Sequence, residues 1–151
     1  MQNRRETLKQ TAVVAGLLAT AGFPQFAHAA FNKAAFDAKS VQDAAKAAGA
    51  ASMAESKDVT ITAPDIAENG AVVPLGASSA LAGVKHILIL VEKNPSMLCA
   101  MFDVTDAVEP SFATRVKMGQ SSNVYAVAMM GDGKVLFAAK EVKVTLGGCG
   151  G

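Results

Sequence analysis

Short runs of apolar and β-branched residues, separated by turn-forming residues, dominate the chain from Asp58 onward. The longest run, 87–91, is apolar at every position, which predicts a central strand buried on both faces. In 142–146, apolar and polar residues alternate, as in a strand with one buried face. The runs predicted to be strands are 59–62, 71–75, 87–91, 112–118, 124–130, 135–139 and 142–146.

Turn-forming residues punctuate these runs. Pro64 cannot donate to a β ladder and ends the first run, while the sequences at 68–70 and 131–133 contain the glycine typical of tight turns. The second of these predicts a hairpin loop. Several short strands without intervening helices predict a mainly β fold, in the form of an antiparallel β-sandwich.

A helix is predicted before the strands. Residues 32–48 are rich in alanine, with Asn32 placed to cap the start and Gly49 to end the helix. We expect this helix to pack outside the sandwich or to serve as a partner-binding arm. Residues 49–57 are small and carry no strong signal, so they are interpreted as a linker.

The first 29 residues have the pattern of an export signal. Arg4 and Arg5 begin a basic region, an apolar run follows at 11–23, and Ala27-His28-Ala29 provides a small-x-small cleavage site. The run is shorter than the roughly 20 residues of a membrane-spanning helix. The paired arginines resemble a twin-arginine signal, which exports folded proteins. The expected location is the periplasm.

The predicted organisation is therefore an export signal at 1–29, a helical segment and linker at 30–57, a carrier domain at 58–146 and a C-terminal arm at 147–151. Removing three basic residues and one acidic residue with the signal, from totals of 14 and 13, leaves a net charge of about −1. This balance argues against nucleic acid or an anionic membrane surface as a partner. No glycine-rich phosphate loop is found, and no cofactor is expected.

The arm, Gly147-Gly148-Cys149-Gly150-Gly151, places a cysteine between two glycine pairs. Glycine occupies both halves of φ space, so the sequence predicts a flexible tether. At about 3.3–3.6 Å per extended residue, Cys149 can lie about 10 Å beyond Leu146. An ordinary thiol pKa of about 8.5 leaves Cys149 mostly protonated near neutral pH, since no cation lies beside it in sequence. We therefore expect a covalent handle that other proteins activate, and no self-activated nucleophile.

The second cysteine, Cys99, lies in the apolar run 97–102, and a buried structural thiol is the expected role. A disulfide between Cys99 and Cys149 is the alternative in an oxidising compartment. A free thiol at Cys149 would also allow disulfide-linked dimers.

Other catalytic or metal-binding constellations are missing from the sequence. His86 is the only histidine left after the signal, and a lone histidine beside an apolar strand is usually a satisfied surface residue. No Cys/His cluster with zinc-ligand spacing and no Cys-x-x-Cys occurs. The carboxylates Asp103, Asp106 and Glu109 lie in a turn-rich segment and are interpreted as solvated charges. No catalytic or metal-binding residue is predicted.

The chain resembles SoxY, the sulfur-carrier subunit of the periplasmic thiosulfate-oxidising Sox system. The resemblance rests on the ending, in which a lysine-bearing strand precedes Gly-Gly-Cys-Gly-Gly, and on four internal runs. These runs are 63–74, 91–95, 115–118 and 122–125, and the ending is 142–151.

This resemblance implies an immunoglobulin-like sandwich that forms a heterodimer with SoxZ, a second small β protein. It implies that Cys149 carries the substrate as an S-adduct, without the chain itself being an enzyme. The implied partners in the cycle are a haem protein that couples thiosulfate to the thiol, a hydrolase that releases sulfate, and a dehydrogenase that oxidises the remaining sulfane.

Two other classes of function stay open at this point. A thiol-dependent enzyme acting alone would turn over substrate without partners. An interaction module would use the sandwich surface and would keep its activity after deletion of the arm.

Overall fold

The computed structural model describes residues 32–50 and 52–146. The predicted export signal and the arm lie outside these residues. The helices are α1 (Lys33–Asp37) and α2 (Val41–Ala47). The strands are β1 (Ser52–Glu55), β2 (Val59–Thr62), β3 (Ile66–Ala67), β4 (Val73–Ser79), β5 (Val84–Val91), β6 (Leu98–Asp103), β7 (Ser111–Val116), β8 (Ser122–Met130) and β9 (Lys134–Val144).

The strands form two sheets, so the prediction of a mainly β sandwich with an N-terminal helical region is confirmed. The large sheet has the order β1-β9-β8-β5-β6, with β3 also paired to β9, and the small sheet has the order β2-β4-β7. All pairs are antiparallel except β1–β9 and β3–β9, which are parallel. The sandwich therefore differs from the purely antiparallel arrangement that the sequence predicted.

Strand β5 lies inside the large sheet and is buried on both faces, as its continuous apolar sequence predicted. Ile87, Ile89 and Val91 face the small sheet, whereas Leu88 and Leu90 face the helices. All five side chains have no exposed surface. Because successive side chains of a strand point to opposite faces, these five residues are divided between two cores. The described residues therefore form three layers: helices, large sheet and small sheet.

The predicted helix at 32–48 is two helices, because Ser40 interrupts it. Asn32 caps α1, as predicted, by accepting a hydrogen bond from the Ala35 N–H at 3.1 Å. Ser40 has an extended backbone and accepts a bond from the Asp43 N–H at 3.0 Å, which makes it the cap of α2. Serine competes well for this capping role, so a new helix begins there. Gly49 has φ +105° and ends the helical region, as predicted.

The two helices cover the second face of the large sheet. Ala35 and Ala44 are fully buried and pack in the cluster that contains Leu88 and Leu90. Their small side chains let the helix backbones approach the sheet closely. The helical segment therefore packs on the outer face of the sandwich, which confirms the first of the two predicted alternatives for these residues. No helix in the described residues is long and apolar enough to cross a membrane.

The strands differ from the predicted runs in several places. The stretch interpreted as a linker contains β1, which runs parallel to β9 from the Ser52–Lys134 pair to the Glu55–Phe137 pair. β4 continues through the small residues 76–79. A Cβ at Gly76 would lie 3.3 Å from the Thr62 Cβ, so glycine permits the close approach of β2. The predicted runs 135–139 and 142–146 form one strand up to Val144.

The predicted hairpin between β8 and β9 is confirmed. Gly133 has φ +85°, and its N–H donates to the Met130 carbonyl at 3.1 Å. Glycine adopts this left-handed conformation without the steric cost that a Cβ brings.

Leu88→Ala should destabilise the protein by about 2–5 kcal/mol, because it opens a cavity between the helices and the large sheet. Urea unfolding followed by circular dichroism measures this change. Leu81→Ala is the matched control, since Leu81 is only half-buried, and it should cost less. A loss below about 1 kcal/mol at Leu88 would show that the helical layer is loosely packed.

Candidate functional site: the base of the C-terminal arm

The residues predicted to carry the function, Cys149 with Gly147, Gly148, Gly150 and Gly151, lie outside the described residues. The structure instead describes the place from which they extend. We call the last described residues, Thr145 and Leu146, together with the segment 65–70 that binds them, the arm base.

Strand β9 leads to the arm base and has neighbours on both sides. β8 pairs with it from Met129–Val135 to Ser122–Val142. On the other side, β1 pairs with its beginning and β3 with its end, where Ile66 lies opposite Lys143. An interior strand of this kind has its backbone groups satisfied on two sides, which fixes its position in the sheet.

Backbone and hydroxyl hydrogen bonds continue beyond β9 to the last described residue. The Thr145 N–H donates to the Ala67 carbonyl at 3.1 Å, and the Thr145 hydroxyl donates to the Glu68 carbonyl at 3.0 Å. The Gly70 N–H donates to the Leu146 carbonyl at 2.7 Å. Ordered backbone therefore extends to the third residue before Cys149.

Two further contacts hold the arm base. The Val144 N–H donates to the Ser121 hydroxyl at 2.9 Å, which joins β9 to the segment before β8. Lys140 donates to the Ala63 carbonyl at 2.6 Å and forms an ion pair with Asp65 at 3.0 Å. The Asp65 side chain is 89% exposed, so this pair contributes little energy. Its effect is to locate the segment that precedes β3.

Sequence reasoning missed these anchoring residues. The two-residue strand β3 is too short to give a periodic pattern, and the run before it ends at Pro64. Ser121 gives no local signal, because its partner Val144 is 23 residues away.

Cys99 lies on β6 and is half-buried, with a free thiol. Burial raises the pKa of the Cys99 thiol above its ordinary value, while hydrogen bonds from the Asn94 side chain and the Val91 backbone act weakly in the other direction. At neutral pH the thiol is protonated and therefore a poor nucleophile. Its contacts with the core agree with the predicted structural role, although it is less buried than expected.

The remaining candidates are surface groups. His86 Nδ1 lies 2.8 Å from Asp103 Oδ1 across the β5–β6 pair, so the histidine has a surface partner, as predicted. Asp106 and Glu109 are exposed. Within 32–50 and 52–146, no group of three or more His, Cys, Asp or Glu side chains could hold a metal ion.

Comparison with known proteins identifies the chain's relatives. The family model described as "Sulfur oxidation protein SoxY" matches residues 44–149, a range that ends at Cys149. The solved structure of the sulfur carrier protein SoxY from Chlorobium limicola f thiosulfatophilum is 38% identical, with a TM-score of 0.61. The match covers 70% of this chain and 96% of that one.

A more distant likeness concerns the fold alone. Superoxide reductase (neelaredoxin) from Ignicoccus hospitalis is 20% identical, with a TM-score of 0.51, and the match covers 57% of this chain and 79% of that one. A comparison with curated proteins gives no match.

Ser121→Ala should speed hydrogen exchange of the Val144 amide roughly fivefold, because the loss of one hydrogen bond costs about 1 kcal/mol. Exchange measured by NMR at single amides checks this result. Ser56→Ala is the control, since the Ser56 hydroxyl accepts from Asp58 in the turn between β1 and β2. Equal Val144 exchange in both variants would mean that Ser121 does not anchor the arm base.

Proposed function

This chain belongs to the SoxY family of sulfur oxidation proteins, and from that membership we propose that Cys149 holds sulfur intermediates as covalent adducts for partner enzymes. Membership makes the chain a sulfur-carrier protein of thiosulfate oxidation. The observation that supports Cys149 as the attachment point is the family match that ends on it, three residues after the anchored Leu146.

The proposed cycle begins with an oxidative coupling. The Cys149 thiolate and the sulfane sulfur of thiosulfate form an S–S bond, which gives Cys–S–S–SO₃⁻ and releases two electrons. A haem protein accepts these electrons. The thiolate is a minor species at neutral pH for a thiol of ordinary pKa, so the coupling enzyme must supply the environment that ionises it.

Hydrolysis then releases sulfate. Water attacks the terminal sulfonate sulfur of Cys–S–S–SO₃⁻, the S–S bond to that sulfur breaks, and Cys–S–S⁻, sulfate and two protons result. A dehydrogenase then oxidises Cys–S–S⁻ with three water molecules to Cys–S–SO₃⁻ and six protons, and passes the six electrons to its own electron acceptor. A second hydrolysis, with one further water, releases sulfate and regenerates the thiol. The carrier contributes the sulfur atom that holds the intermediates and the backbone that presents them.

The anchoring geometry suits this role. A fixed frame that ends at Leu146 keeps the attachment point within about 10 Å of a defined position, while the glycines beyond it place no side chain against an enzyme. Ordering a residue's backbone costs about 1–2 kcal/mol. Insertion of four or five arm residues into an active site should therefore cost about 5–10 kcal/mol, which favours weak docking and fast release.

A SoxZ-like subunit is the proposed stable partner, and strand β6 supports this proposal. β6 ends the order of the large sheet, with no described strand on its outer side. Its residues 98–102 are uncharged, and four of them are half-buried. Natural edge strands usually carry charges or proline that prevent pairing with another chain. An apolar edge of this kind fits a strand of a second β protein.

The proposed setting is the periplasm. Support comes from the paired arginines, the apolar run and the Ala27-His28-Ala29 sequence near the start of the chain. The intact mass of protein from the periplasmic fraction, with Ala30 as its first residue, would establish both the location and the cleavage site.

Cys149→Ser should abolish adduct formation while leaving the fold unchanged, because residue 149 follows the last anchored residue, Leu146, by three positions. Intact-mass analysis after incubation with thiosulfate and the coupling enzyme, with and without reductant, measures the adduct. Cys99→Ser is the matched control and should keep the full reductant-sensitive mass increase. An adduct on Cys149→Ser, or its loss in Cys99→Ser alone, would refute the assignment.

Met101→Lys should weaken binding of the SoxZ-like subunit about tenfold or more, because it places a charge on the strand that the partner would cover. Met101 also packs against the helix-side cluster, so circular dichroism of the free variant separates loss of the fold from loss of binding. Isothermal titration calorimetry with the purified subunit gives the Kd. Ser52→Lys changes the opposite edge of the same sheet and should leave the Kd within about twofold. If Ser52→Lys alone impaired binding, β1 and not β6 would be the partner edge.

A further inference from the structure

Exposed apolar side chains lie on and next to the segments of the arm base. The described residues include four large hydrophobic side chains with substantial exposure: Ile66 at 58%, Val72 at 54%, Val108 at 43% and Leu146 at 70%. Three of these, Ile66, Val72 and Leu146, lie on the arm base or directly after it. We call these three side chains the arm-base patch.

Backbone contacts hold the patch in place. Ile66 is on β3, opposite Lys143 of β9, and the next residue, Ala67, points into the core. The Leu146 carbonyl accepts from the Gly70 N–H at 2.7 Å. Val72 follows two residues later, immediately before the fully buried Val73. The three side chains are therefore outward-facing members of segments whose neighbours build the core.

The fold does not require apolar residues at these positions. Ala67 and Val73 already fill the adjoining core, and outward-facing side chains at the ends of strands are usually polar. Apolar groups that cluster on an otherwise polar surface mark interaction sites. The surrounding exposed charges, Asp65, Glu68 and Lys143, include both signs. The charges around the patch therefore do not complement a partner surface that is strongly charged with one sign.

The position of Cys149 identifies what covers the patch. Cys149 is the third residue after Leu146, so its Cα lies at most about 10 Å beyond that residue. A small reagent can reach the thiol without touching the sandwich. A macromolecule that encloses the thiol in an active-site cleft must bring its surface to the arm base, because the tether is shorter than the width of a protein layer.

We propose that the arm-base patch is the docking surface for the enzymes that act on Cys149, and that it contacts an apolar rim around the opening of their active-site cleft. This inference rests on the proposed function. It assigns recognition to the sandwich itself, so that the glycines need only pass through the opening. Enzymes of different chemistry can share the carrier if each has such a rim.

The test compares the triple variant Ile66→Ser/Val72→Ser/Leu146→Ser with Val108→Ser, each in the full chain and assembled with its partner subunit. Val108 is an exposed valine away from the arm base, so Val108→Ser removes apolar surface elsewhere. Charging of Cys149 by the thiosulfate-coupling enzyme, followed by intact mass at varied carrier concentration, gives kcat and KM. The rate at which iodoacetamide alkylates Cys149 measures how accessible this thiol is to a small reagent that does not need to dock.

The triple variant should raise the KM for the carrier about tenfold or more, with kcat changed less than about twofold, since only binding is weakened. Its alkylation rate should equal that of the wild type, and Val108→Ser should match the wild type in every measurement. Leu146→Ser alone removes no buried side chain and should show part of the increase in KM. This single variant replaces the triple variant in the test if the triple variant unfolds.

Three outcomes would overturn the inference. An unchanged KM in the triple variant, with normal charging of the wild type, removes the patch from docking and leaves the carrier function intact. Loss of the partner subunit from the triple variant, seen by size-exclusion chromatography, assigns the patch to the subunit interface. Failure of the wild type to become charged at all refutes the carrier function and this inference with it.

Discussion

The two-sided pairing of β9 is the constraint on which the rest of the arrangement depends. β8 supports the strand along one side, and the parallel strands β1 and β3 support its two ends on the other. Hydrogen bonds continue past the end of β9, from the Val144 bond with Ser121 to the Leu146 bond with Gly70. The segment that leads to Cys149 therefore starts from a fixed position at Leu146. The glycines on either side of Cys149 have no side chains that could hold it in place.

The chemistry and the architecture are separated in this molecule. Burial raises the pKa of the Cys99 thiol, which disfavours its reactive thiolate form at neutral pH. In the proposed function, activation of Cys149 is left to the partner enzymes. The sandwich contributes position and surface, which is the division of roles expected of a carrier protein.

The strands and turns with strong local signals could be predicted from the sequence. The uninterrupted apolar run of β5 predicted burial on both faces, and the glycine-containing loop at 131–133 predicted the β8–β9 hairpin. The break between the helices was missed, because a serine in an alanine-rich stretch is ambiguous until the chain has packed. β1 and β3 were missed for a stronger reason. Both are short, and both are strands only because β9, distant in sequence, presents an edge to them. The same limit applies to the site: the glycine-flanked cysteine is visible in the sequence, whereas the contacts that secure the arm base are tertiary.

The parallel pairing of β1 with β9 bears on how the protein acquires its structure during translation. Ser52 lies beside Lys134, and β9 is the last strand in chain order. An interior strand of the large sheet is therefore synthesised after every other described strand, and until it emerges from the ribosome β8 and β1 each lack a neighbour. Long-range pairing of this kind is slow and leaves strand edges unprotected for that interval. The large sheet therefore cannot be completed until β9 has been synthesised, and the unpaired edge of β8 is its most vulnerable feature before then.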